Sequence, residues 1–184
     1  MNNEKVYIVI GFPGHGKTTV SKSLAEATGL VRGSTSDLVY LHIAEWLSNG
    51  MPALSVATSE ELLRGMSKEK IRPELVRVGD FLTKEEPEFL VRRLYESGCR
   101  IIDGVRRREQ ELPAVRKYFS LLGVVCQVIW VQRLPEPVRI SDNTTVTWKD
   151  ADRVIVNYGD SYDELRVRTQ LAWWVSVNDE FLLL

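Results

Sequence analysis

The sequence predicts a three-layer α/β fold, a central parallel sheet covered by helices on both faces. Three observations carry this reading. Short apolar runs at Val6–Ile10, Cys99–Ile102 and Val124–Val131 have the length and β-branched content of strands buried on both sides. Helix-period stretches separate them, and strands alternating with helices imply crossover connections and therefore parallel pairing. Between the first run and the first helical stretch lies Gly11-Phe12-Pro13-Gly14-His15-Gly16-Lys17-Thr18, which fits G-x-x-x-x-G-K-[ST] without mismatch.

In chain order, the first strand gives way to a helix whose Val20, Leu24 and Ala27 share a face and which Gly29 is placed to end. Gly33 to Asp37 reads as turn and cap chemistry before a helix with Leu38, Leu41, His42 and Trp46 on one face, closed by Asn49 to Pro52. His42 is expected to be a packed helix residue, because no second ligand lies at metal spacing. A loop and a short helix from Ser59 follow. Ile71 to Leu82 is helical, with Pro73 in an early turn, and Pro87 to Ser97 is an amphipathic helix that Gly98 stops. The second strand ends on Asp103, a helix runs from Glu109 to Leu122, and the third strand follows. Residues 132–149 carry turn signals and no apolar period, so a functional loop is expected there. Asp152 to Asn157 is the last strand and Ser161 to Trp174 the last helix. The apolar end of the chain, from Trp173 to Leu184, is expected to pack across the sheet or against a second copy in a homodimer. It is too short to span a membrane.

A chain of 184 residues suits one domain with one core, residues 1–184. Apolar residues at 44%, charged residues at 27% and a net charge of −1 are those of a globular protein without the basic field that duplex nucleic acid selects. The two cysteines, Cys99 and Cys126, are far apart and read as reduced thiols, which suits the cytoplasm. No signal peptide or membrane span is evident, and a membrane partner is not expected.

The motif's chemistry follows from its residues. Gly11, Gly14 and Gly16 permit a tight turn that brings the backbone against phosphate oxygens. Amide N–H groups then converge on those oxygens at the positive end of a helix. Lys17 reaches the β- and γ-phosphates, and the Thr18 hydroxyl is a Mg²⁺ ligand. The stretch Gly11, Pro13, Gly14, His15, Gly16, Lys17, Thr18 and Thr19 is therefore read as a P-loop for ATP. His15 sits at a variable position and its side chain is expected to be exposed. Open sheets of this kind bind ligands at the carboxyl ends of the strands. Asp103 is delivered to that rim, facing the loop, where it fits the acidic partner of a Mg²⁺ shell. Arg106, Arg107 and Arg108 follow it, and a guanidinium suits a second phosphorylated group.

These segments resemble the nucleoside monophosphate kinases of the adenylate kinase-like P-loop class. Asp103-Gly104-Val105-Arg106 is similar to that family's D-G-x-P-R segment, and Ser34 to Asp37 to its S-T-G-D segment, with Ser36 in place of the glycine. Arg72 to Leu82, Ser141 to Thr144 and Asp152 to Leu165 resemble phage-type deoxynucleoside monophosphate kinases more closely. The resemblance implies a three-layer P-loop NTPase fold with an acceptor-binding insertion at about residues 35–82 and a short lid at about 132–149. It implies transfer of the ATP γ-phosphoryl group to a (deoxy)nucleoside monophosphate with Mg²⁺ as cofactor. Lys17 would hold the transferred group, Thr18 and Asp103 would place the metal, and Thr35, Asp37, Arg72 and Arg106 would bind the acceptor. The wider family has its arginine one position later, at Arg107. Arg133 and Arg139 are the lid candidates, and Asn157 to Asp160 would border the adenine. Two other readings share the same loop: a P-loop kinase of another small molecule, such as a dephospho-coenzyme A kinase-like enzyme, and a nucleotide-binding switch.

Overall fold

The structure is a computed structural model that describes residues 4–51, 53–134, 144–158, 161, 163–166 and 169. Strands β1 (Lys5–Ile10), β2 (Arg32–Ser34), β3 (Ile101–Asp103), β4 (Val125–Arg133) and β5 (Arg153–Asn157) form one sheet. All its pairings are parallel and its order is β2-β3-β1-β4-β5. Helices α1 (Lys17–Thr28), α2 (Thr35–Gly50), α3 (Val56–Gly65), α4 (Lys68–Leu82), α5 (Phe89–Glu96) and α6 (Glu111–Leu121) connect and cover it.

The pleat divides the apolar side chains between two faces. Val6, Ile8 and Ile10 join Ile102, Val128 and Trp130 on one face, beneath Val91 and Leu94 of α5 and Leu112, Val115 and Phe119 of α6. Tyr7 and Val9 join Ile101, Ile129, Val131 and Ile155 on the other, against Val20 and Leu24 of α1 and Leu165. Burial of each large side chain contributes roughly 1.5–3 kcal/mol, which fixes the register of β1 between its two neighbours. A third apolar cluster lies among α2, α3, α4 and α5, where Val39, Tyr40, Ala44, Leu63, Ile71, Leu75 and Leu90 pack together. These helices stand beside the carboxyl ends of the strands and supply one wall of the site.

Most boundaries agree with the sequence reading within three residues, and the exceptions have physical causes. Gly33 and Ser34 are not a turn. They belong to β2, a three-residue edge strand paired with β3. Its apolar content is nil, and Gly33 fits because a Cβ there would lie 2.8 Å from both Cys99 Sγ and Leu94 Cδ2. Helix α3 starts at Val56, ahead of Ser59, because the Ser55 hydroxyl accepts the Thr58 N–H as its cap. Pro73 lies in the second turn of α4, since that helix begins at Lys68. Gln132 and Arg133 still belong to β4, and Trp148–Asp150 is a 3₁₀ turn capped by Thr147. Residues 163–166 and 169 are helical, whereas residues 162, 167, 168 and 170–174 of the expected last helix and the apolar tail lie outside the described residues. Among the described residues, no helix is long and apolar enough to cross a membrane.

Cys99 is buried and Cys126 half-buried, and neither is in a disulfide. Burial pushes the Cys126 thiol up from 9.0 to about 11, the Arg116 charge opposing it. A thiol held protonated by the fold stabilises it below the unfolded pKa and loses that contribution as pH rises toward 11. The reaction of a Cys99→Ala protein with a disulfide reagent should therefore accelerate between pH 9 and about 11. Acceleration complete by pH 9 would show Cys126 to be solvated.

Candidate active site

One cavity of about 370 Å³ lies at the carboxyl ends of β1 and β3. The loop between β1 and α1 forms its floor through Gly11, Pro13, Gly14, Gly16, Lys17 and Thr18. The turn after β3 supplies Asp103, Gly104 and Arg106. The start of α2 supplies Ser34, Thr35, Ser36 and Val39, and α4 supplies Arg72, Leu75 and Val76. Thr144 completes the wall.

Helix α1 is left open at its amino end. Gly16 occupies the N-cap position in the left-handed conformation, with no side chain to cap the helix and no acidic residue in the first turn. The first free amides and the dipole therefore face the cavity floor, the arrangement that favours an anion. Lys17 Nζ donates to the Gly11 and Phe12 carbonyls at 2.8 and 2.9 Å, which holds its ammonium within the loop.

The underside of the loop packs tightly on the sheet. His15 is buried, with its Nδ1 3.0 Å from the Val131 carbonyl and its ring edge-on to Phe12 and Trp130. This corrects the expected exposure: the loop is short, and its turn carries position 15 into the gap above β4. Asn157 Nδ2 donates to the His15 carbonyl at 3.1 Å. A Cβ on Gly16 would lie 2.9 Å from that nitrogen, and one on Gly11 2.6 Å from the Val131 carbonyl. Arg133 donates to the Gly14 carbonyl at 3.2 Å. His15, Thr19 and Arg133 do not line the cavity, and Arg139 and Asp160 lie outside the described residues.

Asp103 is buried at the end of β3. Its Oδ2 accepts from Arg32 Nη2 at 2.8 Å and from Ser21 Oγ at 2.9 Å, and Arg32 Nε also donates to Ser21 Oγ. The aspartate is thus fixed by an ion pair across β2 and β3. Both contacts fall on Oδ2, leaving Oδ1 for another partner. With the Thr18 hydroxyl on the same cavity wall, the donors are oxygen atoms of the kind Mg²⁺ takes.

The three arginines part company after Gly104, whose φ of +118° and 1.9 Å clearance to Thr35 Oγ1 admit no Cβ. Arg106 enters the cavity. Arg107 does not line it and pairs with Asp80 at 2.6 Å, and Arg108 pairs with Asp150 at 2.8 Å. Buried Glu111 accepts the Arg106 and Arg107 N–H groups at 2.7 and 3.3 Å. The Thr145 and Val146 amides donate to the Arg106 carbonyl. Asp37 does not line the cavity either; it pairs with Arg64 at 3.0 Å, beside Tyr40, whose hydroxyl burial pushes up in pKa against the Arg64 charge. Helix α2 turns Thr35 and Val39 toward the cavity and Asp37 away from it.

Arg32, Ser21 and Glu111 were not marked by any motif, whereas Asn157, which the resemblance sets beside the adenine, donates to the His15 carbonyl under the loop. Of the first three only Glu111, an acid at a helix start just after an arginine run, carried a sequence signal.

No protein-family model and no curated protein sequence matches the chain. Its structure is similar to an unliganded sugar kinase from a Janibacter species, at 14% identity and a TM-score of 0.46, over 94% of this chain and 96% of that one. It is also similar to the adenosine phosphosulfate (APS) kinase of Mycobacterium tuberculosis in complex with AMPPNP and APS, at 13% identity and a TM-score of 0.48, over 94% of this chain and 98% of that one. The fold, a five-stranded parallel sheet with a glycine-rich loop after its central strand, is a three-layer α/β fold.

Arg32→Ala leaves the buried Asp103 carboxylate without its cation and should cost about 3 kcal/mol in urea unfolding. Adding Asp103→Asn should recover part of that loss, since the stranded charge is then gone. Equal losses in the single and double variants would contradict the pairing.

Proposed function

We propose that the protein transfers the γ-phosphoryl group of ATP to a (deoxy)nucleoside 5′-monophosphate. The observation that carries the reading is that a phosphate loop and two arginines from other segments, Arg72 of α4 and Arg106 after β3, line one cavity. One anion site at the helix start and a second between guanidiniums suit two phosphorylated ligands meeting end to end.

The residues divide the work accordingly. The loop amides and Lys17 hold the donor's β- and γ-phosphates, and Arg72 and Arg106 hold the acceptor phosphate in line with them. Thr18 and Asp103 would hold Mg²⁺, which when bound neutralises charge on the donor phosphates. A monophosphate oxygen is already ionised near neutral pH, so the reading needs no general base. An acceptor hydroxyl would need one. The cavity's only acidic side chain among the described residues, Asp103, is held through Oδ2 by Arg32 and Ser21, and this reading assigns its other oxygen to the metal. The shelf of Val39, Leu75 and Val76 gives a planar base an apolar surface to pack on.

ADP production measured with ATP and a panel of monophosphates tests the reading. At least one monophosphate should stimulate turnover. Lys17→Ala should lower that rate by about 100-fold or more. Arg106→Ala should raise the acceptor KM by about tenfold or more and leave the ATP KM nearly unchanged. Turnover indifferent to every monophosphate would refute the proposal.

A further inference from the structure

Arg106 reaches the cavity across the last turns of α4, and it fits there because position 79 has no side chain. A Cβ on Gly79 would lie 2.8 Å from Arg106 Nη2 and 3.7 Å from Val39 Cγ2. Gly79 is buried inside a helix and is not among the glycines with positive φ, so its backbone does not call for glycine. Glycine weakens a helix interior relative to alanine. Space for the guanidinium is what the position gains. The next residue acts on the same group: Asp80 Oδ2 lies 2.6 Å from Arg107 Nη2, and Asp80 Oδ1 lies 3.8 Å from Arg106 Nη2. The Arg106 backbone is already fixed by Glu111, Thr145 and Val146, so what α4 adds is the direction of the side chain.

We infer that Gly79 and Asp80 form a seat on α4 that aims Arg106 at the acceptor phosphate. Gly79 supplies the slot, and Asp80 supplies the charge that keeps both guanidiniums against the helix. They are positioning residues, and the inference rests on the reading of Arg106 as an acceptor ligand. Because α4 also carries Arg72, the seat links the two acceptor arginines through one helix.

Gly79→Ala separates this role from a structural one, because the two predict opposite signs. The displaced atom is the tip of a flexible side chain and alanine favours the helix, so the thermal midpoint should hold or rise. The acceptor KM should nevertheless rise by about tenfold or more, since a displacement near 1 Å is enough to misalign a binding group. Asp80→Asn should raise it several-fold in the same direction, and both variants should bind an ATP analogue as the parent does. Gly79→Ala combined with Arg106→Ala should be no worse than Arg106→Ala alone, since the glycine acts only through that side chain. Variants that keep the parent acceptor KM, while Arg106→Ala raises it, would overturn the seat and leave the kinase reading standing. An unchanged acceptor KM in Arg106→Ala would overturn both. Losses of stability and ATP-analogue affinity together would mark a structural role and overturn the seat.

Discussion

The glycine-rich loop after β1 is shaped from below. Its upper surface is open backbone, but its underside lies on the ends of β4 and β5 with no space for an added carbon at Gly11 or Gly16. The buried His15 ring fills the remaining gap and reaches the Val131 carbonyl, and Asn157 closes on the His15 carbonyl from the neighbouring strand. An anion site made of amide groups is only as well defined as the backbone carrying them. Here the sheet supplies that definition. Most other parts of the cavity are placed relative to this loop by β2 and β3 beside it or by the helices above, with Thr144 from a separate segment.

Several charges around the cavity are held in ion pairs. Asp103 is matched by Arg32, Arg107 by Asp80, Arg108 by Asp150 and Asp37 by Arg64. Of the three consecutive arginines only Arg106 lines the cavity. The run of like charge is divided by the backbone: Glu111 and the 145–146 amides clamp the turn, and each successive side chain leaves in its own direction. Such pairing contributes little net stability, whether solvated as at Asp37–Arg64 or buried as at Asp103–Arg32, but it fixes where each group points.

The fold and part of the cavity lining could be read from the residues. Strand–loop–helix order, the glycine pattern and the apolar runs act locally, so Lys17, Thr18 and the strand ending in Asp103 were legible. The β2 strand was not, because it is three residues long and held by close approach at Gly33 instead of by apolar side chains. With β2 unseen, Arg32 had no visible reason to meet Asp103. The burial of His15 was hidden likewise, since a polar residue in a glycine-rich loop carries no sign of what lies beneath it. Which arginine enters the cavity depended on Glu111 and Gly79, contacts distant from the motif in sequence or in kind.

The sheet order has a kinetic consequence. The central strand is the first in the chain, yet its two neighbours follow only at Ile101 and Val125, far along the polypeptide. During synthesis Val6 to Ile10 emerge with both edges unsatisfied and wait for about 90 further residues before the first edge is covered. Loop closure over such distances is slow, and exposed apolar edges favour self-association in the interval. Nascent chains stalled before Val125 should thus depend on chaperones far more than the finished protein does.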